Sequence, residues 1–356
     1  MNKIESNKNI NCSFKFAVQS KLSKNLKEFN LMTSLFGRII QDENHAFNEL
    51  CECFFERPFS DIGTIFELFS SFLKETGDFS LFLKPLSDNR NQALLTPLQF
   101  MRNMIIENSI SSKQLKKNFI LTVFFELNEI TKIFRLRHAL KIFIEMSMAL
   151  RSNSYIEEAE NNLNHLDLFI YENVTPEVIA NFTRTIDDDI NNFVLFVEFC
   201  SWAVISNSFS IEKSKIIMDL IPENKLSLSL SKDSLGLLAS AYCLLSDYKK
   251  AIQCLTLSFS SGEDSFIGWN THALFKFFFG LSPEYHGIRI VPASHFVLEG
   301  IRINRNFRGK RIKIKYRRNN ESENLMNKIS LNDEEYGGRI IDFMDLKEDN
   351  NVVVDT

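Results

Sequence analysis

From about residue 45 to residue 280 the apolar positions recur every three or four residues, the spacing that places them on one face of a helix. Ile62, Ile65, Phe66, Phe69 and Leu73 form one such stripe, and Thr76-Gly77 is a glycine stop. The same spacing predicts helices over Leu115–Ile130, Ile133–Met148, Ile156–Phe169, Phe193–Ile205, Ser234–Leu245 and Tyr248–Leu257. Short polar links between them predict successive antiparallel helices. After Gly280 the period falls to two. Ile301 and Ile303 alternate with Arg302 and Asn304, and Ile312, Ile314 and Tyr316 with Arg311, Lys313 and Lys315. Arg308-Gly309 between the two runs fits a hairpin turn. The charged, Asn-rich stretch from Arg317 to Glu334 reads as a mobile loop and Ile340–Phe343 as a short strand. Lys347–Thr356 reads as a frayed acidic tail.

Composition narrows the choice of class. With 356 residues and 44% hydrophobic content the chain can build a large helical domain and a smaller one. The formal charge of −4 gives no whole-chain reason for a polyanionic partner. Phe is abundant, 34 residues, alongside Ile, Asn and Lys. All four have AT-rich codons, so codon bias accounts for the excess without an aromatic binding surface. The six cysteines, at 12, 51, 53, 200, 243 and 254, lie in or beside apolar runs, as reduced cytoplasmic thiols do. Cys51-Glu52-Cys53 lacks zinc-knuckle spacing and a second pair, so no metal is expected. Neither a signal-peptide core nor an apolar run of about 18 residues is present, so no membrane partner is expected.

Several stretches occur together in one known order. Gly268–Ala293 contains Trp269, an apolar helix ending in Phe-Gly-Leu-Ser-Pro-Glu-Tyr-His-Gly-Ile-Arg-Ile-Val-Pro, and leads to Asn306-Phe307-Arg308-Gly309. Ser60-Asp61 precedes an apolar helix and Lys74-Glu75-Thr76-Gly77-Asp78. Leu136–Asn173 holds a helical pair around Glu157-Glu158-Ala159-Glu160, and Ile186–Asp189 is followed by Ser201-Trp202-Ala203-Val204-Ile205-Ser206. Over residues 45 to 316 this order resembles glycoside hydrolase family 94, the disaccharide phosphorylases and the C-terminal region of cyclic β-1,2-glucan synthases.

The resemblance implies a mainly α chain, an incomplete (α/α)6-barrel-like toroid followed by a small C-terminal β domain. Its expected boundaries are 1–44 for a polar segment and lead-in helix, 45–282 for the helical domain, 283–345 for the β domain and 346–356 for a disordered tail. The implied activity is inverting phosphorolysis of a β-glycosidic bond, with inorganic phosphate as co-substrate and no other cofactor, on a β-linked oligosaccharide or glucan. Such chemistry needs one acid and a phosphate cradle. The family's Trp-bearing acid loop has no counterpart between Asp78 and Leu136, where Asp88-Asn89-Arg90-Asn91-Gln92 is the nearest sequence. Glu263 and Asp264 stand where hydroxyls and glycine would receive phosphate, and carboxylates there repel a dianion. The expectation is therefore a degenerate relative with at most residual sugar binding.

Two alternatives stand beside it: an active phosphorylase or hydrolase whose acid has moved, to Asp88, Asp187 or Asp264, and a helical interaction protein. The resemblance assigns sugar contacts to Arg57 and Asp61, and the aromatic faces of Trp202 and Trp269 are of the kind that stack on sugar rings. Against these, Asp61 has the chemistry of a helix N-terminus, both tryptophans that of core residues, and Asp187-Asp188-Asp189 and His272 those of a solvated turn and an ordinary histidine. The hairpin cations Arg302, Arg305, Arg308, Lys310, Arg311, Lys313, Lys315, Arg317 and Arg318, with Phe307 and Tyr316 interleaved, allow a nucleic-acid surface. A charged β-edge that resists aggregation explains them as well. Nucleic acid is not expected as a partner on this reading, whereas apolar edges of an unclosed toroid favour self-association.

Overall fold

The computed structural model describes residues 62–85, 95–108, 123–183, 190–226, 230–260, 269–292, 300–317 and 328–355. It is mostly helical, with a small C-terminal sheet region. Among the described residues, one compact unit comprises 62–73 and 78–230, and a second comprises 74–77 and 231–355.

The first unit is all helical. Helix α1 (Ile62–Thr76) buries Ile62, Phe66, Phe69 and Leu73, the expected stripe, and ends at Gly77, whose φ of 65° suits a residue without a Cβ. After α2 (Phe79–Leu83) and α3 (Pro97–Asn108) comes α4 (Val123–Ala149), 27 residues and so about 40 Å long. The two helices expected over Leu115–Ile130 and Ile133–Met148 are thus a single one from Val123 onward. Helices α3, α5 (Ile156–Asn173) and α7 (Ile190–Ile205) all pack on α4. Apolar residues are therefore needed on several of its faces, and the sequence pattern shifts register midway although the backbone does not break. Helix α6 (Pro176–Thr183) precedes α7, which buries every residue from Phe199 to Val204, and α8 (Ile211–Asp219) follows, capped by the Ser210 hydroxyl accepting from the Lys213 N–H. Rings interlock at Phe134, Phe182, Phe196 and Phe199, with centroids 5.4 to 6.1 Å apart about Phe199.

The second unit joins helices to two sheets. Helices α9 (Lys232–Leu244), α10 (Tyr248–Ser260) and α11 (Trp269–Ala273) pack together, and α11 continues into a π-helical turn, Leu274–Phe278. They share a unit with the sheets, so the boundary expected at residue 282 falls inside a compact body. The reason is contact: the Tyr316 hydroxyl donates to the Phe279 carbonyl at 2.6 Å.

Strands β1 (Leu281–Pro283), β2 (Gly287–Ile290) and β7 (Ile340–Asp342) form an antiparallel three-stranded sheet. Strands β3 (Arg302–Phe307), β4 (Lys310–Arg317), β5 (Lys328–Leu331), β6 (Glu334–Tyr336) and β8 (Asp349–Asp355) form the other, in the order β3-β4-β8-β5-β6. The β3–β4 hairpin turns at Arg308-Gly309, both at positive φ, as a two-residue primed turn requires.

Three expectations need correction here. Within Arg317–Glu334, where a mobile loop was expected, Lys328–Leu331 is a strand, and it pairs with Glu334–Tyr336 across Asn332-Asp333 at positive φ. The expected frayed tail is the middle strand of the larger sheet: β8 runs parallel to β4 and antiparallel to β5 and buries Val352 and Val354 completely. Its flanking acids obscure a run of three valines with strong strand preference. Third, Arg305, Phe307 and Tyr316 point to the buried face of the hairpin, and Arg305 meets Glu75, the last-turn carboxylate of α1, in a buried ion pair.

Arg305→Ala leaves Glu75 buried without its counter-charge and is expected to cost about 3–5 kcal/mol. The double change Glu75→Leu with Arg305→Met is expected to recover most of that loss. Urea midpoints followed by circular dichroism measure both; an Arg305→Ala protein as stable as the parent would show the pair to be dispensable.

Candidate functional site in the first unit

The helix α4 segment Arg135-Leu136-Arg137-His138-Ala139-Leu140-Lys141 places four basic side chains in an otherwise apolar run. Helical spacing sorts them into two sets, Arg135 with His138 and Arg137 with Lys141. The first set faces Trp202. The imidazole of His138 lies 5.6 Å from the Trp202 ring, centroid to centroid, and the Arg135 guanidinium 5.7 Å from it. Each of the two also meets a carboxylate: His138 Nε2 is 3.0 Å from Glu67 Oε2, and Arg135 donates to Glu198 Oε2 at 2.8 Å.

Three helices thus contribute one pair apiece at helical spacing: Gly63 and Glu67 from α1, Arg135 and His138 from α4, Glu198 and Trp202 from α7. Trp202 is fully buried at the centre. A Cβ on Gly63 would lie 2.6 Å from the tip of its six-membered ring, so glycine is what admits the indole.

The second set holds the end of α7. Arg137 pairs with Asp167 and donates to the Ser206 carbonyl, and Lys141 Nζ donates to the same carbonyl at 3.1 Å. Cations at a helix C-terminus complement its exposed carbonyls and dipole. Burial, and then the adjacent Arg137 charge, pulls the Lys141 ammonium from 10.5 down to about 8, with Asp167 opposing.

A carboxylate–imidazole pair can orient or move a proton, but the neighbouring nucleophile types are engaged elsewhere. The Ser201 hydroxyl donates to the Val197 carbonyl at 2.7 Å. Burial holds the Cys200 thiol well above its usual range, so it stays protonated. Among the described residues no group of three or more His, Cys, Asp or Glu side chains is placed to hold a metal ion.

Of the residues assigned to sugar contact, Trp202 sits in this cluster. Trp269 belongs to the second unit, opens α11 and is 2% exposed. Its backbone N–H donates to Asp233 Oδ1 at 3.0 Å, and its ring meets His272 edge to face at 5.0 Å. Neither indole offers a free face to a sugar, and both act as core residues. Arg57, Asp61, Asp88, Asp187, Asp188, Asp189 and Asp264 lie outside the described residues, as do Cys51 and Cys53. Glu67, Arg135, His138 and Glu198 are the residues that sequence reasoning misses. The available signal is a charged residue interrupting each apolar run, as in Ile65-Phe66-Glu67-Leu68-Phe69 and Phe196-Val197-Glu198-Phe199-Cys200.

In comparison with known proteins, no family model matches the chain and no curated protein matches it significantly. No helix among the described residues is long and apolar enough to cross a membrane.

Gly63→Ala forces a methyl into the Trp202 ring and is expected to cost about 1–3 kcal/mol, read as a lowered urea midpoint with altered tryptophan fluorescence. An unchanged midpoint would mean that the ring has room to move. Lys141 gives a pH signature whose sign follows from its depressed value. Between about pH 8 and 10.5 the unfolded chain still carries a proton that the folded protein has lost, so stability rises with pH through that window. Midpoints at pH 7.5, 9 and 10 should show this rise in the parent relative to Lys141→Met; parallel curves would refute it.

Proposed function

We propose that the chain is a catalytically degenerate relative of the family 94 glycoside phosphorylases, a cytoplasmic protein whose helical scaffold has outlived the loops of phosphorolysis. In this reading the helices of the first unit belong to an incomplete (α/α)6 toroid, and the second unit carries the small β domain of that architecture. The observation that carries the proposal is the complete enclosure of Trp202, which lies in the string most specific to the resemblance. A ring packed on Gly63 and flanked by Arg135 and His138 stabilises three helices and leaves no stacking platform for a sugar.

The ionisable groups around it support the same reading. Glu67 and Glu198 are each engaged by a side chain from α4, the His138 imidazole and the Arg135 guanidinium. A general acid for glycosidic cleavage must instead reach the leaving oxygen of a bound sugar. Buried free thiols at Cys200, Cys243 and Cys254 fit a reducing compartment. Any β-linked oligosaccharide is then held weakly, without turnover.

Purified protein incubated with inorganic phosphate and a panel of β-linked glucose and N-acetylglucosamine disaccharides tests this. The expected result is no sugar 1-phosphate above a heat-killed control while circular dichroism reports a folded helical protein. Phosphate-dependent release would overturn the degenerate reading and require a relocated acid.

A further inference from the structure

The larger sheet of the second unit has two faces of opposite chemistry. The residues of one face, Ile303, Ile312, Ile314, Val352 and Val354 among them, are buried. The other face is centred on three cations. Arg302 of β3 lies directly opposite Lys315 of β4, and Lys313 lies two residues from Lys315 on the same side. Across the next pairing, Lys313 faces Asn351 and Lys315 faces Val353, so β8 places no carboxylate directly opposite them; Asp349 and Asp355 stand two residues along on the same face, opposite Arg311 and Arg317. The nearby Arg311 is compensated, donating to Asp349 at 2.6 Å. No ion pair to any described residue involves Arg302, Lys313 or Lys315.

Like charges directly opposite on a sheet are destabilising. Edge protection accounts for Arg302 on the terminal strand β3 but not for Lys313 and Lys315, because β4 lies between β3 and β8 and has no free edge to guard. The uncompensated charge is relieved when an anionic ligand lies across the strands.

The pattern fits a linear polyanion. Lys313 and Lys315 project from the same side of one strand at a repeat of about 6.6–6.8 Å, with Arg302 one strand away at about 4.8 Å. Exposed Asn304, Asn306 and Asn351 flank them with amides able to donate to phosphate and sugar oxygens. Phe307 and Tyr316 lie on the buried face, which removes base stacking from this surface. A membrane surface is the poorer match, since among the described residues this face presents no aromatic or large aliphatic anchor beside its cations. We propose that this face binds the phosphate backbone of single-stranded nucleic acid, without selecting bases.

Fluorescence anisotropy of the full chain with labelled mixed-sequence 20-nucleotide DNA and RNA, from 25 to 200 mM NaCl, tests the proposal. Neutralising three phosphates predicts a slope of log affinity on log salt of about −2, a loss of roughly 20-fold between 50 and 200 mM. Lys313→Glu with Lys315→Glu is expected to weaken binding at least about tenfold at 50 mM and to flatten the slope by about 1.4. Arg302→Gln alone should flatten it by about half as much, and Lys249→Glu on α10 should leave it unchanged. Circular dichroism checks that each variant is folded. Absence of binding at 25 mM, equal binding by the double variant, or retention of phosphatidylserine vesicles without nucleic-acid binding would each overturn the proposal.

Discussion

A guanidinium taken out of water needs a counter-charge or carbonyl acceptors, and two of them organise the second unit. Arg305 meets Glu75 in the interior, while Arg308, at the hairpin turn, donates to the carbonyls of Lys74, Glu284 and Tyr285. The Arg308 guanidinium also lies 4.9 Å from the Phe307 ring and 5.6 Å from that of Phe343. These contacts gather the last turn of α1, the β1–β2 turn and the β3–β4 hairpin around neighbouring residues of one strand end. Glu75 and Lys74 are 230 and 234 residues away from their partners in sequence, so the unit is closed by contacts of very long range. They also explain why residues 74–77 belong with the C-terminal elements rather than with the rest of their own helix.

The first unit applies the same rule to helices. A carboxylate or cation buried in an apolar stripe demands one partner at one height, which fixes the axial alignment of α1, α4 and α7 more narrowly than apolar packing does. Glu67 with His138 and Arg135 with Glu198 impose that alignment on either side of Trp202. The indole fills the space between, and the absence of a side chain at Gly63 decides how closely α1 approaches it.

How much of this was legible in the sequence depended on the range of the cause. Local signals read correctly: the apolar stripe and glycine stop of α1, the change of period after Gly280, and the Arg308-Gly309 turn. Features set by distant neighbours did not. Helix α4 looked like two helices because partners on different sides demand apolar residues in different registers. Asp349–Asp355 looked like a tail because its acids are visible and its place between β4 and β5 is not. Arg305 counted as one more exposed cation because its counter-charge lies on α1. Trp202 drew notice as a rare residue in a specific string, while the carboxylates that surround it came from positions separated by most of a helix bundle.

The parallel pairing of β4 with β8 has a consequence in time. The β3–β4 hairpin is complete once Arg317 has been made, but its second neighbour is finished about 40 residues later. At usual ribosomal rates, roughly 5–20 residues per second, β4 exposes a row of unpaired amides and carbonyls for about 2–8 s in every nascent chain. During that interval it is a template for any extended segment nearby, and arrival of the correct strand is a race against mispairing that each newly made molecule must win.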